Sequence, residues 1–145
     1  MNLADKILRS QLELTKPIAD GSRLETSRGL QDRIGRLMHF TRRKEVVVYD
    51  DYFEGVRGSL VVPRDELRGG VIMYIHGGGF ACGTIKYARG YAAVLASECG
   101  MRTFCVDYRL APEHPYPAAL DDVCDAYVAL INSGISAEKI ILAGE

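Results

Sequence analysis

Val71-Ile72-Met73-Tyr74-Ile75-His76-Gly77-Gly78-Gly79-Phe80 is the stretch on which the reading of this chain turns. Five apolar residues without alternation predict a parallel strand covered on both faces. Three glycines directly after it put no Cβ in the way and permit positive φ, so successive N–H groups can turn toward one point. A bare Gly-Gly-Gly reads as a tight turn. The histidine that closes the strand favours a second reading, in which those N–H groups stabilise the negative oxygen of a tetrahedral acyl-transfer intermediate. Neither GxGxxG nor GxxxxGK[ST] occurs, which weakens a phosphate-binding alternative.

On the C-terminal side the pattern repeats. A helix is predicted over about Tyr87–Cys99, stopped by Gly100, followed by a buried strand at Thr103-Phe104-Cys105-Val106. Pro117 and Gly134 bracket a second helix, with Leu120, Val123, Cys124, Tyr127, Leu130 and Ile131 as an apolar stripe. Ile140-Ile141-Leu142-Ala143 is the third strand. Strand, helix, strand, helix, strand predicts βαβ crossovers in a parallel sheet.

On the N-terminal side, Val46–Tyr49 and Gly58–Val62 predict an antiparallel pair at a sheet edge. Before them lie two helical stretches separated near Pro17 and Gly21. The first carries Leu3, Ile7, Leu12 and Leu14, and the second Leu24, Leu30, Ile34, Leu37 and Met38. The arginines between Arg23 and Arg43 read as a solvated helix face.

Ligands of open α/β sheets bind beyond the C-terminal ends of the strands. There the second buried strand runs into Asp107-Tyr108-Arg109-Leu110-Ala111-Pro112-Glu113-His114-Pro115-Tyr116-Pro117. Its prolines predict a stiff, extended connection. Asp107, Arg109 and Glu113, with Tyr108 beside them, are read as a supporting segment whose ion pairs anchor the neighbouring loop.

HGGGF at 76–80 followed by DYRLAPEHPYPAALDD at 107–122 closely resembles the signature of the hormone-sensitive-lipase-like branch of α/β-hydrolases, which includes bacterial acetyl esterases and related carboxylesterases. The resemblance spans about Val71 to Glu145. It implies an α/β fold comprising the N-terminal half of the α/β-hydrolase core, residues 41–145, preceded by a helical cap segment, residues 1–40. It implies an oxyanion-hole loop formed by His76, Gly77, Gly78 and Gly79. It further implies hydrolysis of a small-molecule carboxylic ester through an acyl-serine intermediate, without cofactor or metal.

Gly144-Glu145 matches the first two positions of the Gly-x-Ser-x-Gly turn of that family, in which serine, then acid, then histidine follow in chain order. None of Ser10, Ser22, Ser27, Ser59, Ser97, Ser133 and Ser136 lies in such a context, and His39, His76 and His114 have no claim to the catalytic position. The expectation is therefore a chain without its triad, inactive alone, with an unpaired apolar edge at its last strand. The same scaffold also allows a non-catalytic ligand-binding protein, or a hydrolase of an amide, formamide or lactone.

Composition narrows the partners. With 48% hydrophobic and 26% charged residues and a formal charge of −1, the chain has no bulk electrostatic attraction for nucleic acid or anionic membrane. Cys82, Cys99, Cys105 and Cys124 form no CxxC pair and no metal-ligand spacing, and are read as free thiols, with Cys105 and Cys124 among apolar residues. Residues 1–20 contain no uninterrupted signal-peptide core, which places the protein in the cytoplasm. Homo-oligomer formation is left open.

Overall fold

The computed structural model describes residues 24–53, 55–65 and 68–145. The predicted helix with Leu3, Ile7, Leu12 and Leu14 lies outside these residues. In chain order the elements are α1 (Leu24–Arg42), β1 (Val46–Phe53), β2 (Val56–Pro63), β3 (Arg68–Ile75), α2 (Ile85–Cys99), β4 (Met101–Val106), α3 (Ala118–Asn132), a 3-10 turn (Ala137–Lys139) and β5 (Ile140–Gly144).

The five strands form one mixed sheet in the order β1-β2-β4-β3-β5. β1 and β2 are antiparallel and lie at one side, as predicted; β3 pairs in parallel with both β4 and β5. After β3 the chain crosses through α2 to β4, and after β4 it returns through α3 to β5 on the other side of β3. The two helices cover opposite faces. Ala88, Ala92, Ala93 and Ala96 of α2 pack on Val46, Val61, Tyr74 and Cys105. Ala119, Ala126 and Leu130 of α3 pack on Val71, Met73, Phe104 and Val106. Val71 to Tyr74 are all buried, which is the double coverage that an unalternating apolar run requires. β5 borders the described sheet, and its Ile141 and Leu142 are exposed.

Thr84 caps α2 by accepting from the Lys86 N–H at 3.2 Å, and Gly100 ends the helix in the left-handed conformation at φ 60°. Three expectations need correction. The arginines of α1 do not all lie on a solvated face: the face turned toward the protein carries Leu24, Arg28, Gln31, Asp32 and Gly35, whereas Leu30, Ile34 and Leu37 are exposed. The reason is a backbone approach: a Cβ on Gly35 would stand 2.4 Å from Tyr87 Cα, and one on Gly90 2.3 Å from the Gly35 carbonyl oxygen. Two helices that meet at their backbones leave no room for leucines between them.

In α3 the buried row is Ala119, Ala126, Ala129 and Leu130, so Leu120 and Cys124 of the predicted stripe face outward. The connection at 111–117 is turned rather than extended. Its His114 N–H donates to the Leu110 carbonyl at 2.8 Å, its Ala118 N–H to Pro115 at 3.1 Å, and the Ala111-Pro112 and Tyr116-Pro117 bonds are cis.

Gly35→Ala should cost about 1–3 kcal/mol, because the helices must part to admit the methyl group. Gly29→Ala, where nothing lies within 4 Å, should stabilise by up to about 1 kcal/mol through helix propensity. Chemical denaturation of both variants checks the contrast.

Candidate active site

The C-terminal end of β3 delivers His76 into the interior, where it is only 3% exposed. Its ring stacks on Tyr108 with centroids 4.1 Å apart at 14°. The Tyr108 hydroxyl donates to the His76 carbonyl oxygen at 2.5 Å, and its oxygen lies 3.0 Å from His76 Nδ1. Nδ1 also lies 2.9 Å from the Gly77 carbonyl oxygen. A carbonyl can only accept and the Tyr108 proton is already placed, so Nδ1 carries the hydrogen and shares it between these two oxygens. Nε2 then has a lone pair, with no partner among the described residues. Burial lowers the pKa of His76, so the ring is neutral.

The glycines meet different surroundings. A Cβ on Gly77 would lie 2.7 Å from the Glu145 carbonyl oxygen, so this glycine lets the end of β5 come alongside. Gly78 has φ +119° and would place a Cβ 2.4 Å from the Cys82 carbonyl oxygen. That carbonyl approaches because Ala81 and Cys82 N–H both donate back to the Gly78 carbonyl, at 3.2 and 2.9 Å. Gly79, at φ +61°, faces open space. The N–H groups of Gly78 and Gly79 have no acceptor among the described residues. Phe80 follows at φ 59° and is 64% exposed. Gly83 completes the return: a Cβ there would stand 2.2 Å from His76 Nδ1.

Asp107, Arg109 and Glu113 each make an ion pair, with partners in β2, α3 and α1 rather than in the glycine loop. Asp107 pairs with Arg57 of β2 at 2.6 Å. Arg109 clasps the Asp122 carboxylate of α3 through Nε and Nη2 at 2.7–3.0 Å, and its N–H donates to the same group at 2.8 Å. Glu113 receives both Nη1 and Nη2 of Arg28, at 2.7 and 2.9 Å, and this pairing holds its pKa down at about 2. The loops also touch directly, through the Ala111 N–H and the Phe80 carbonyl at 2.8 Å. Between them lies an open depression lined in part by Arg28, Thr84, Tyr108, Leu110 and His114.

Sequence reasoning placed Arg28 on a solvated helix face, which its enclosed guanidinium corrects, and missed Gln31, Asp32, Gly83 and Asp122. The Gln31 side chain accepts from the Gly83 N–H at 2.6 Å, and Thr84 is hydrogen-bonded to Asp32. The available signal was positional: Arg28, Gln31 and Asp32 share one helical face with Gly35. Tyr87 and Tyr74 converge on one Glu145 oxygen at 2.6 and 3.1 Å. Burial, reinforced by that carboxylate, raises both phenol pKa values. No group of three or more metal-ligating side chains occurs among the described residues.

A strand ending in glycines beside two parallel neighbours is a fold-level signature, and comparison with known proteins agrees with it. The sequence profile of the alpha/beta hydrolase fold matches residues 72–145. This chain belongs to the α/β-hydrolases. It is similar to esterases and to a hormone-sensitive lipase. It is 37% identical over 118 residues to an esterase of Acinetobacter venetianus, covering 81% of this chain and 38% of that protein. It is 39% identical over 79 residues to hormone-sensitive lipase of Mus musculus, covering 52% of this chain and 10% of that one. Among solved structures, the hyperthermophilic esterase of the archaeon Pyrobaculum calidifontis superposes with a TM-score of 0.70 at 30% identity, over 84% of this chain and 43% of that chain. An esterase of the bacterial hormone-sensitive lipase family gives 0.64 at 26% identity, over 85% of this chain and 47% of that chain. The chain thus spans less than half the length of these relatives.

The buried histidine ties stability of this α/β-hydrolase chain to pH. Because the folded pKa of His76 lies below its ordinary 6.5, the unfolded chain binds more protons in mild acid, so stability should fall as pH drops below that value. Glu113 adds a separate loss between its ordinary 4.5 and about 2. His39, also lowered by burial, acts in the first window. Denaturant midpoints from pH 7.5 to 3 should show a shallower first decline in His76→Gln and a shallower second one in Glu113→Gln.

Proposed function

We propose that these residues form the oxyanion-binding part of a carboxylic ester hydrolase that works through an acyl-serine intermediate on small-molecule esters in the cytoplasm. The observation that carries the reading is the pair of N–H groups on Gly78 and Gly79, without protein acceptors, at the C-terminal end of the central strand β3. When a serine oxygen adds to an ester carbonyl, the carbonyl oxygen takes up the negative charge and gains most from such donors. The alcohol then leaves with a proton, and water releases the acid from the acyl-serine. His76 is a positioning group in this scheme, since it is buried, neutral and committed to Gly77 and Tyr108. Asp107, Tyr108, Arg109 and Glu113 hold the loop and take no part in the chemistry. The esterases among the relatives support the assignment of bond type.

Residues 1–145 contain no Gly-x-Ser-x-Gly sequence. Alone, this chain should not turn over a short-chain p-nitrophenyl ester above buffer; turnover abolished by a serine-directed phosphonate would mean that residues 1–145 hold a nucleophile after all. In a polypeptide carrying these residues within the full length of the relatives, Gly78→Ala should lower kcat by about 10²-fold or more, because the methyl group displaces the donor. Gly79→Ala meets open space and should lose less. Equal and negligible losses would remove the oxyanion role.

A further inference from the structure

We propose that Arg28 of α1 is a positioning residue for the glycine loop, so that a helix outside the sheet sets where the Gly78 and Gly79 N–H groups point. The proposal rests on the oxyanion reading of that loop. Arg28 is nearly enclosed, its side chain 14% exposed, and its guanidinium reaches both the glycine loop and the segment after β4. Nε donates to the Ala81 carbonyl at 2.8 Å, Nη2 to the Ala111 carbonyl at 2.9 Å, and both terminal nitrogens to Glu113 at 2.7 and 2.9 Å.

The segment 77–84 has little means of fixing itself. Four of its eight residues are glycines, Gly77, Gly78, Gly79 and Gly83, and its internal ties are the two hydrogen bonds to the Gly78 carbonyl. Its remaining anchors come from outside. Gly77 is held by the His76 ring, Phe80 by Ala111, Ala81 by Arg28, Gly83 by Gln31 and Thr84 by Asp32. Three of these five depend on one face of α1. Arg28 alone also grips the loop after β4, to which Phe80 is bonded, so it fixes Ala81 relative to the surface the loop rests on. A planar fork with donors in fixed directions suits this task, and a lysine ammonium does not reproduce it.

The test is made in the full-length polypeptide, with Arg28→Met, Arg28→Lys, Glu113→Gln and, as a control on the exposed side of α1, Arg36→Ala. Amide hydrogen exchange across 77–84 should accelerate about 10-fold or more in both Arg28 variants while α2 and the strands keep their protection. Turnover should fall about 10-fold in kcat with KM within about twofold, since donors are misplaced at the transition state rather than lost from ground-state binding. Arg28→Lys should not rescue. Glu113→Gln keeps both carbonyl bonds and should lose less than about threefold. Unchanged exchange at 77–84 in a folded Arg28 variant overturns the proposal, as does exchange that rises equally across α2, or full rescue by lysine. Should Arg28→Met not fold, Arg28→Lys carries the same comparison. Absence of turnover in the unaltered protein would defeat the hydrolase reading alone, because the exchange measurement stands without it.

Discussion

The chain has to double back at the end of β3 over a buried imidazole, and that return is the constraint on which the rest of the structure depends. Its backbone passes within contact of the β5 end at Gly77, of its own Cys82 carbonyl at Gly78, and of the His76 ring at Gly83. No side chain larger than hydrogen fits at these points without something moving. Two of the three also require positive φ, which costs an L-residue roughly 1–2 kcal/mol. Space thus demands all three glycines and dihedral angle demands Gly78 and Gly83 as well, and the histidine beneath them is sealed off from water as a result.

Sealing an imidazole has a cost that the neighbourhood meets only in part. Tyr108 stacks on the ring, accepts its Nδ1 hydrogen and satisfies the His76 carbonyl, which makes one tyrosine the floor of the loop. The lone pair on Nε2 stays without a described partner, so the neutral ring is the tolerable form. Tyr108 in turn is fixed from either side, by Asp107 on Arg57 and by Arg109 on Asp122. Half-exposed ion pairs of this kind contribute little to stability, about 0–1 kcal/mol each. Their use here is directional: they aim one buried aromatic ring from two charged neighbours in the chain.

The parts of this arrangement that were legible in the sequence are the local ones. Val71–Ile75 announces a doubly covered strand, HGGG announces the turn, and Thr103–Val106 and Ile140–Ala143 announce its parallel partners. The resemblance of two motifs named the family. What could not be read was pairing at a distance. Arg28 and Glu113 are 85 residues apart, and Arg57 and Asp107 are 50 apart, so spacing carries no trace of either contact. The docking face of α1 was illegible for a different reason. Periodicity selects the leucines, but contact was decided by the absence of side chains at Gly35 and Gly90, and by polar residues that hydrogen-bond rather than pack. A helix docking through glycine and arginine leaves its leucines outward.

That mode of docking bears on how a flexible loop can serve electrostatic stabilisation. On the proposed reading, donors help a transition state only if they need not reorganise when charge appears, since reorganisation would consume the gain. Glycine supplies the required conformation and at the same time makes competing conformations cheap. Apolar packing cannot resolve this conflict, because a residue without a side chain offers nothing to pack. Hydrogen bonds to the loop's own backbone can, and those to Ala81 and Gly83 come from α1 while that to Phe80 comes from the segment after β4. The rigidity of the glycine loop is therefore a property of the elements around it. A displacement of α1 relative to the sheet would reach the loop through Arg28, Gln31 and Asp32 together.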